Sequence, residues 1–415
     1  VLLAGGLAAL GAYSVVLYLP LRAGRGVGFH WGPLAGAEQV WDHLTAALYR
    51  SSFLSLPPEG ILLNAARWAG QVRMEFHALL LPVVLWGLWQ GWRRHRELLL
   101  VGGLAAACNL VAVVNYHRDP NGIGVFFLLA HAALALFLGL GLDDLGRRLG
   151  PGGPALAGAL AAAVVVSSHW AASDRSDNRI PWTYGRDILA GLPPRAVLLC
   201  EGDDASFIVD YLQRVEGMRP DVSLYNRLGR GTDLLAEAVD SLQPRERDER
   251  QVEAEAALIR AGWRPVFALA PRAMPVAGYR FVPEGLVYRI LPPGGPAHLP
   301  PVPMENARTA GFHRDAWVRK IQGNYHYMEA ERLRALGHPD EAREAYREAA
   351  GVAFDSRTMR FNVALALLRE GDLEEARRQA QASLALDPFG EAPRRLLAAI
   401  SRRAQPPGGA HDLLE

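Results

Sequence analysis

Long apolar runs broken by short charged patches occupy the chain up to about residue 170, and shorter amphipathic patterns occupy the rest. Five runs stand out: Val1 to Tyr18, Phe76 to Trp92, Leu98 to Val114, Val125 to Leu142 and Pro154 to Trp170. Each approaches the roughly 20 residues a helix needs to cross a ~30 Å hydrocarbon core. None has Asp, Glu, Lys or Arg at its centre. In lipid only helices and closed barrels satisfy their own backbone hydrogen bonds, and runs this long suit helices. The pattern predicts an α-helical membrane bundle of about five transmembrane helices over 1–170, with outside loops at 21–75 and 115–122.

Beyond residue 170 the period changes. Arg186 to Leu192 reads as a short helix stopped by Pro193-Pro194. Ala196 to Cys200 is a continuous apolar run, as in a buried parallel strand. The turn Glu201-Gly202-Asp203-Asp204 leads into a helix over 205–215, with Phe207, Ile208, Tyr211, Leu212 and Val215 on one face. Asp221 to Tyr225, Pro265 to Leu269 and Leu286 to Ile290 supply further strands. A strand–helix–strand order predicts a small soluble α/β domain over 171–300.

Charge gives the bundle a direction. Arg93, Arg94 and Arg96 follow the second span, and Arg147 and Arg148 follow the fourth. Short arginine-rich loops stay in the cytoplasm, and these two lie on one side because two crossings separate them. The loops 21–75 and 115–122 and everything after Trp170 then lie outside, which in a bacterium means an inner-membrane protein with a periplasmic soluble part. The whole-chain balance, 44 Lys and Arg against 43 Asp and Glu, blends the two halves. Lys320 is the only lysine, which reads as coding bias; no region is strongly basic, and no nucleic-acid partner is expected. Cys108 and Cys200 fall in an apolar run and a predicted buried strand, and suggest neither a disulfide framework nor a metal site. The first apolar run begins at Val1 with no basic segment or cleavage site before it, so a longer membrane protein is expected, extending upstream.

Candidate chemistry clusters in the outside loops. Val40, Trp41, Leu44, Ala47 and Leu48 recur at helical spacing beside Glu38, Asp42, His43 and Arg50, an amphipathic helix suited to the bilayer interface. It is either a packing element or a lid over a lipid-linked substrate, with His30, Asp42, His43 and Arg50 touching phosphate or sugar. Arg118 in the second loop pairs either with a lipid phosphate, which a guanidinium matches in geometry, or with Asp119. His131 in the fourth span is a helix–helix hydrogen bond, its commoner role, or a ligand. Asp203 and Asp204 follow a strand end, where ligands often bind. They could hold a metal or sugar hydroxyls, or cap the next helix and complement its dipole. No glycine cluster follows either strand, so no dinucleotide cofactor is predicted; no metal ligand is assigned, and a need for divalent metal stays open.

Internal repetition appears last. Gly337 and Gly371, Ala342 and Ala376, and Glu341 and Glu375 share an offset of 34 residues. That is the period of tetratricopeptide repeats, paired helices that commonly offer an interaction surface. Two repeats with a capping helix are expected over 320–401, with a disordered tail over 402–415.

A wider resemblance rests on several segments. They are Leu17-Tyr18-Leu19-Pro20-Leu21-Arg22-Ala23, Trp31-Gly32-Pro33, Trp41-Asp42-His43-Leu44 and Tyr49-Arg50, then Glu201-Gly202-Asp203-Asp204-Ala205-Ser206-Phe207, Tyr211-Leu212-Gln213, Arg219-Pro220-Asp221-Val222 and Pro283 to Arg289. Together they resemble the later half of a bacterial membrane-protein family of unknown function that is itself similar to protein O-mannosyltransferases. His30, Pro33-Leu34, Leu48, Asp204 and Ala205 depart from its usual residues. The resemblance implies the C-terminal part of a polytopic glycosyltransferase. It would move a mannose-like sugar from a polyprenyl-phosphate donor to a protein hydroxyl outside the cytoplasm. The family's catalytic carboxylate belongs to an early outside loop with no counterpart here, so the catalytic base is unassigned. His30, His43, Arg50 and Arg118 are the candidate donor contacts. The alternative is a non-catalytic scaffold whose membrane helices anchor a repeat module for protein partners.

Overall fold

The computed structural model describes residues 11, 14–23, 34, 36–227, 244–310 and 314–404. Most of the first expected span, His30 with the turn around it, and the tail beyond Ala404 lie outside the described residues. The chain divides into two units, one of Leu48–Asp177 with Leu384–Ala392, the other of Val1–Ala47, Asn178–Ser383 and Pro393–Glu415.

Among the described residues two short α-helices come first, α1 (Tyr18–Ala23) and α2 (Ala37–Leu44), the second leaving Trp41 and Leu44 exposed. The helical unit follows. Residues 58–75, read from sequence as part of a long loop, form helix α3 (Pro58–Glu75), opened by Pro58 in its first turn, where a missing N–H costs nothing. α4 (His77–Arg94) leaves α3 at 103°, and the break is taken up at His77, whose φ is 51°. α5 (Arg96–Val114), α6 (Leu128–Arg147) and α7 (Gly153–Ser173) complete the unit. A 3-10 turn, Ile123–Phe127, runs into α6. Among the described residues three helices are long and apolar enough to cross a membrane, α5, α6 with its 3-10 turn, and α7. The bent pair α3 and α4 makes four if it counts as one span. α4 and α6 pack backbone to backbone: a Cβ on Gly87 would overlap the Phe137 carbonyl, and one on Gly141 the Val83 carbonyl. Small residues serve membrane helix contacts in this way, because lipid offers no hydrophobic drive to hold helices together. At one end Asp144 accepts from Trp86 Nε1 at 3.0 Å and pairs with Arg94 and Arg148 at 3.4 and 3.1 Å, which brings the two arginine-rich connections to the same end of the unit.

The other unit is built on a five-stranded sheet in the order β2-β1-β3-β5-β4. Its strands are β1 (Val197–Cys200), β2 (Ser223–Asn226), β3 (Val266–Ala268), β4 (Arg280–Glu284) and β5 (Val287–Leu291). β1 pairs in parallel with β2 and β3, whereas β5 is antiparallel to both β3 and β4. The sheet is therefore mixed. β4 carries Pro283 in its interior, which hides it from a strand pattern, and its edge position tolerates the missing donor. Both faces of the sheet are covered. Leu198, Phe267 and Tyr288 meet α8 (Ile180–Ala190) and α9 (Asp203–Arg214) through Ile188, Leu189, Val209 and Leu212. Val197, Leu199 and Val266 on the opposite face meet Ala256 and Ile259 of α10 (Pro244–Ala261). Consecutive residues of β1 thus serve opposite faces, as a pleated strand requires.

The last five helices among the described residues are α11 (Ala316–Ala335), α12 (Pro339–Val352), α13 (Arg357–Glu370), α14 (Leu373–Leu386) and α15 (Glu391–Ala404). Gly337 and Gly371 sit at the equivalent turns with φ near 85° and 82°, the left-handed conformation that ends a helix and favours glycine. Alanines 342, 345, 349, 376 and 380 bury completely or nearly so and let the helices approach closely.

Candidate functional site

Helix α3 places Asn64, Arg67, Gln71 and Glu75 three or four positions apart, on one face. Asn64, 3% exposed, donates through Nδ2 to the carbonyls of Val114 and Tyr116, both at 3.2 Å. Those carbonyls lie at the end of α5, where no helical N–H remains to meet them. Arg67 Nη1 in turn donates to Asn64 Oδ1 at 2.9 Å. Further along the face the Gln71 side-chain amide lies over Gly124, whose missing Cβ makes room for it.

The far end of this stripe opens into a cleft of about 650 Å³ at the elbow between α3 and α4. Gln71, Glu75, Asn121 and His131 are its polar groups, and Val125 and Leu128 are among its apolar walls. Gln71 Oε1 and His131 Nε2 are buried there and have no hydrogen-bond partner. Leaving such an atom unpaired costs on the order of 1–3 kcal/mol, so buried orphans mark places where a partner is expected. The Phe76 ring meets the imidazole edge-on at 6.2 Å between centroids. His131 therefore leaves its Nε2 without the helix–helix hydrogen bond that is its commoner role.

The sequence-predicted donor contacts are only partly gathered. Arg118 is exposed, with its guanidinium 5.8 Å from the Tyr49 ring and 6.0 Å from Phe126, while Phe53 stacks on Tyr116 at 4.4 Å. Arg50 is exposed on the 3-10 turn Ala47–Ser52, beside Tyr49, so it and Arg118 share a neighbourhood. The His117 backbone N–H donates to Ser52 at 2.9 Å, and its Nε2 lies 3.1 Å from Asp387 Oδ1 within the same unit. His43 and Asp42 are exposed on α2, which belongs to the other unit. His30 lies outside the described residues. The sequence expectation of a loop over 58–75 hides Asn64, Arg67, Gln71 and Glu75, although their spacing is a helical signal.

In the α/β part, Asp203 and Asp204 occupy the first turn of α9, where negative charge meets the helix dipole. Gly202, with φ 83°, holds the N-cap position. Asp204 forms a close ion pair with Lys320 of α11. The preceding Glu201 accepts two bonds from Arg272, at 2.7 and 2.8 Å, and Arg227, buried at the end of β2, pairs with Glu255. Among the described residues no three His, Cys, Asp or Glu side chains gather as a metal would need. Burial pushes the Tyr184 phenol and the Cys200 thiol up to about 12, so both stay protonated at neutral pH.

Comparison with known proteins adds two findings. The tetratricopeptide repeat family model matches residues 327–391. A mouse (Mus musculus) protein, "Protein O-mannosyl-transferase TMEM260", is 34% identical over 110 residues, 25% of this chain and 16% of that protein. The match thus spans about a sixth of the relative's length.

Proposed function

We propose that the chain is part of a multi-pass membrane glycosyltransferase of the protein O-mannosyltransferase type. It transfers a sugar from a polyprenyl-phosphate donor to a protein hydroxyl outside the cytoplasm. The observation that carries this reading is the 34% identity over 110 residues to the mouse protein. Helices long and apolar enough to span a membrane give a lipid-linked donor a route to the chain. The donor's phosphate goes to the loop side of α3, where Arg67 donates to Asn64, Arg118 stands over the Tyr49 and Phe126 rings and Arg50 follows Tyr49 in the chain, because guanidinium groups match phosphate oxygens. Meeting of both arginine-rich connections at one end of the helical unit supports a cytoplasmic end there. On this reading the chain belongs to a bacterial inner-membrane protein with its sheet and repeats in the periplasm. In the reaction a carboxylate takes the proton of the acceptor hydroxyl, the new carbon–oxygen bond forms at the anomeric carbon, and the polyprenyl phosphate leaves. The repeats suit the protein acceptor or a protein that delivers it.

The test compares O-linked sugars on exported proteins, by mass spectrometry, in cells with and without the full-length gene. Loss of hexose from serine or threonine on deletion is expected, with restoration by the parent gene and weaker restoration by Arg67→Ala with Arg118→Ala. Unchanged glycans in the deletion reject the enzyme. A scaffold is the second reading, favoured by the repeat match over 327–391. It predicts intact glycans and a partner captured through the repeats.

A further inference from the structure

The cleft at the α3–α4 elbow has selective chemistry. Its volume, about 650 Å³, falls in the range of small-molecule sites, ~300–1,000 Å³. Among the described residues no arginine or lysine lines it, and the Glu75 carboxylate is the acidic group there. A phosphate or carboxylate ligand would meet like charge with no cation to offset it. The two orphaned atoms set a positive requirement as well. Gln71 Oε1 can only accept, and His131 Nε2 accepts or donates according to tautomer. A hydroxyl satisfies both, since it donates one bond and accepts others. The apolar side of the cleft carries Val125 and Leu128, 74% and 71% exposed on the segment that continues into a membrane-length helix. A ligand that joins hydroxyls to a hydrocarbon chain covers both.

We propose that this cleft binds the uncharged, hydroxyl-bearing headgroup of a membrane lipid, with Gln71 and His131 bonded to its hydroxyls. The site stands independently of the transfer reaction, because it rests on the orphaned atoms and on a lining that carries no arginine or lysine among the described residues. Sugar and glycerol headgroups share the required chemistry, so the two sources need separate probes.

The test uses the full chain in phosphatidylcholine nanodiscs and three photoactivatable lipids carrying a diazirine in the chain: an alkyl glucoside, a monoacylglycerol and a phosphatidic acid. Labelled peptides are mapped by mass spectrometry. At least one neutral probe is expected to label residues 121–135 at least tenfold above phosphatidic acid. Glucoside labelling alone identifies a sugar headgroup, and monoacylglycerol labelling alone a glycerol one. Ala132→Trp puts an indole on the cleft wall in place of a methyl and is expected to abolish that labelling. Gln71→Leu is expected to lower it at least fivefold. Equal labelling by phosphatidic acid, or neutral labelling unchanged in Ala132→Trp, overturns the proposal. Helicity of each variant, read by circular dichroism, separates lost binding from lost folding. Because the readout is binding, its failure leaves the glycan comparison standing, and the reverse also holds.

Discussion

Single side chains in the repeat region hold charge where water is scarce. Glu331 is 2% exposed, accepts from the Tyr346 hydroxyl at 2.5 Å, and pairs with Arg369 and Arg334 at 3.0 and 3.3 Å. Burial, then the nearby Glu331 charge, pushes the Tyr346 phenol far above its ordinary range. Tyr346→Phe removes a donor to a buried carboxylate and is expected to cost about 1–3 kcal/mol, read as a lower denaturant midpoint. A variant as stable as the parent would show that the arginines alone suffice. Asp221 behaves differently because it is reached by solvent. Hydrogen bonds from Arg219, then from the Arg195 backbone N–H, hold its carboxyl well below the usual carboxylate range. A carboxyl depressed in the folded state stabilises it above the unfolded value of about 3.9 and loses that contribution as pH falls toward the folded value. Asp221→Asn should therefore be less stable than the parent at pH 7, with the gap closing below about pH 4. A gap that stays constant from neutral to acid pH contradicts the pairing. Cys200, buried with its thiol near 12, should resist iodoacetamide at pH 8 until the sheet unfolds, whereas modification in the native state would place it at the surface.

At the scale of elements, the close α4–α6 approach gives the sharpest test. Gly87→Leu or Gly141→Leu places a side chain on a facing backbone carbonyl, and neither backbone can yield without separating the helices. Either variant should lose most of its folded yield in detergent, while Gly103→Leu, at a glycine with open space around it, should not. Equal yields would mean that the helices do not meet there. Apolar periodicity made α5, α6 and α7 legible in the sequence, because runs such as Leu98 to Val114 have no competing reading. It made β1 and α9 legible as well, through the run from Ala196 to Cys200 and the apolar face at Phe207, Ile208, Tyr211 and Leu212. α3 was not legible by that signal, because Asn64, Arg67, Gln71 and Glu75 break its apolar pattern along the face that matters. β4 was masked by Pro283, and the antiparallel return of β5 depends on the turn at Gly285, whose φ of 63° no hydrophobic pattern records. The cleft was only half visible: His131 was legible as a polar residue in an apolar run, but its missing partner is a property of packing.

For the sheet-bearing unit as a whole, the repeats do not begin where the α/β domain ends. Val318, Ile321, Tyr325 and Met328 of α11 lie in the same buried cluster as Ile188, Leu198 and Phe267, so the first helix of the repeat region completes the core of the sheet. Polar bonds lock the same junction. Tyr325 donates to Asp187 of α8 at 2.9 Å and accepts from Asn306 at 2.8 Å, and Lys320 holds Asp204. Boundaries drawn by sequence period separate what packing joins. A fragment over 178–310 should expose that cluster and aggregate, whereas 178–404 should be soluble and unfold in one transition. Size-exclusion chromatography and thermal unfolding of the two fragments decide it. If 178–310 folds alone with native-like stability, α11 is an attachment to the sheet and not part of its core. If 178–404 unfolds in two well-separated steps, the repeats are independent of the sheet. The expected single transition would mean that a protein engaging α11 to α15 stabilises the sheet through the shared core, by the mass-action link between binding and folding.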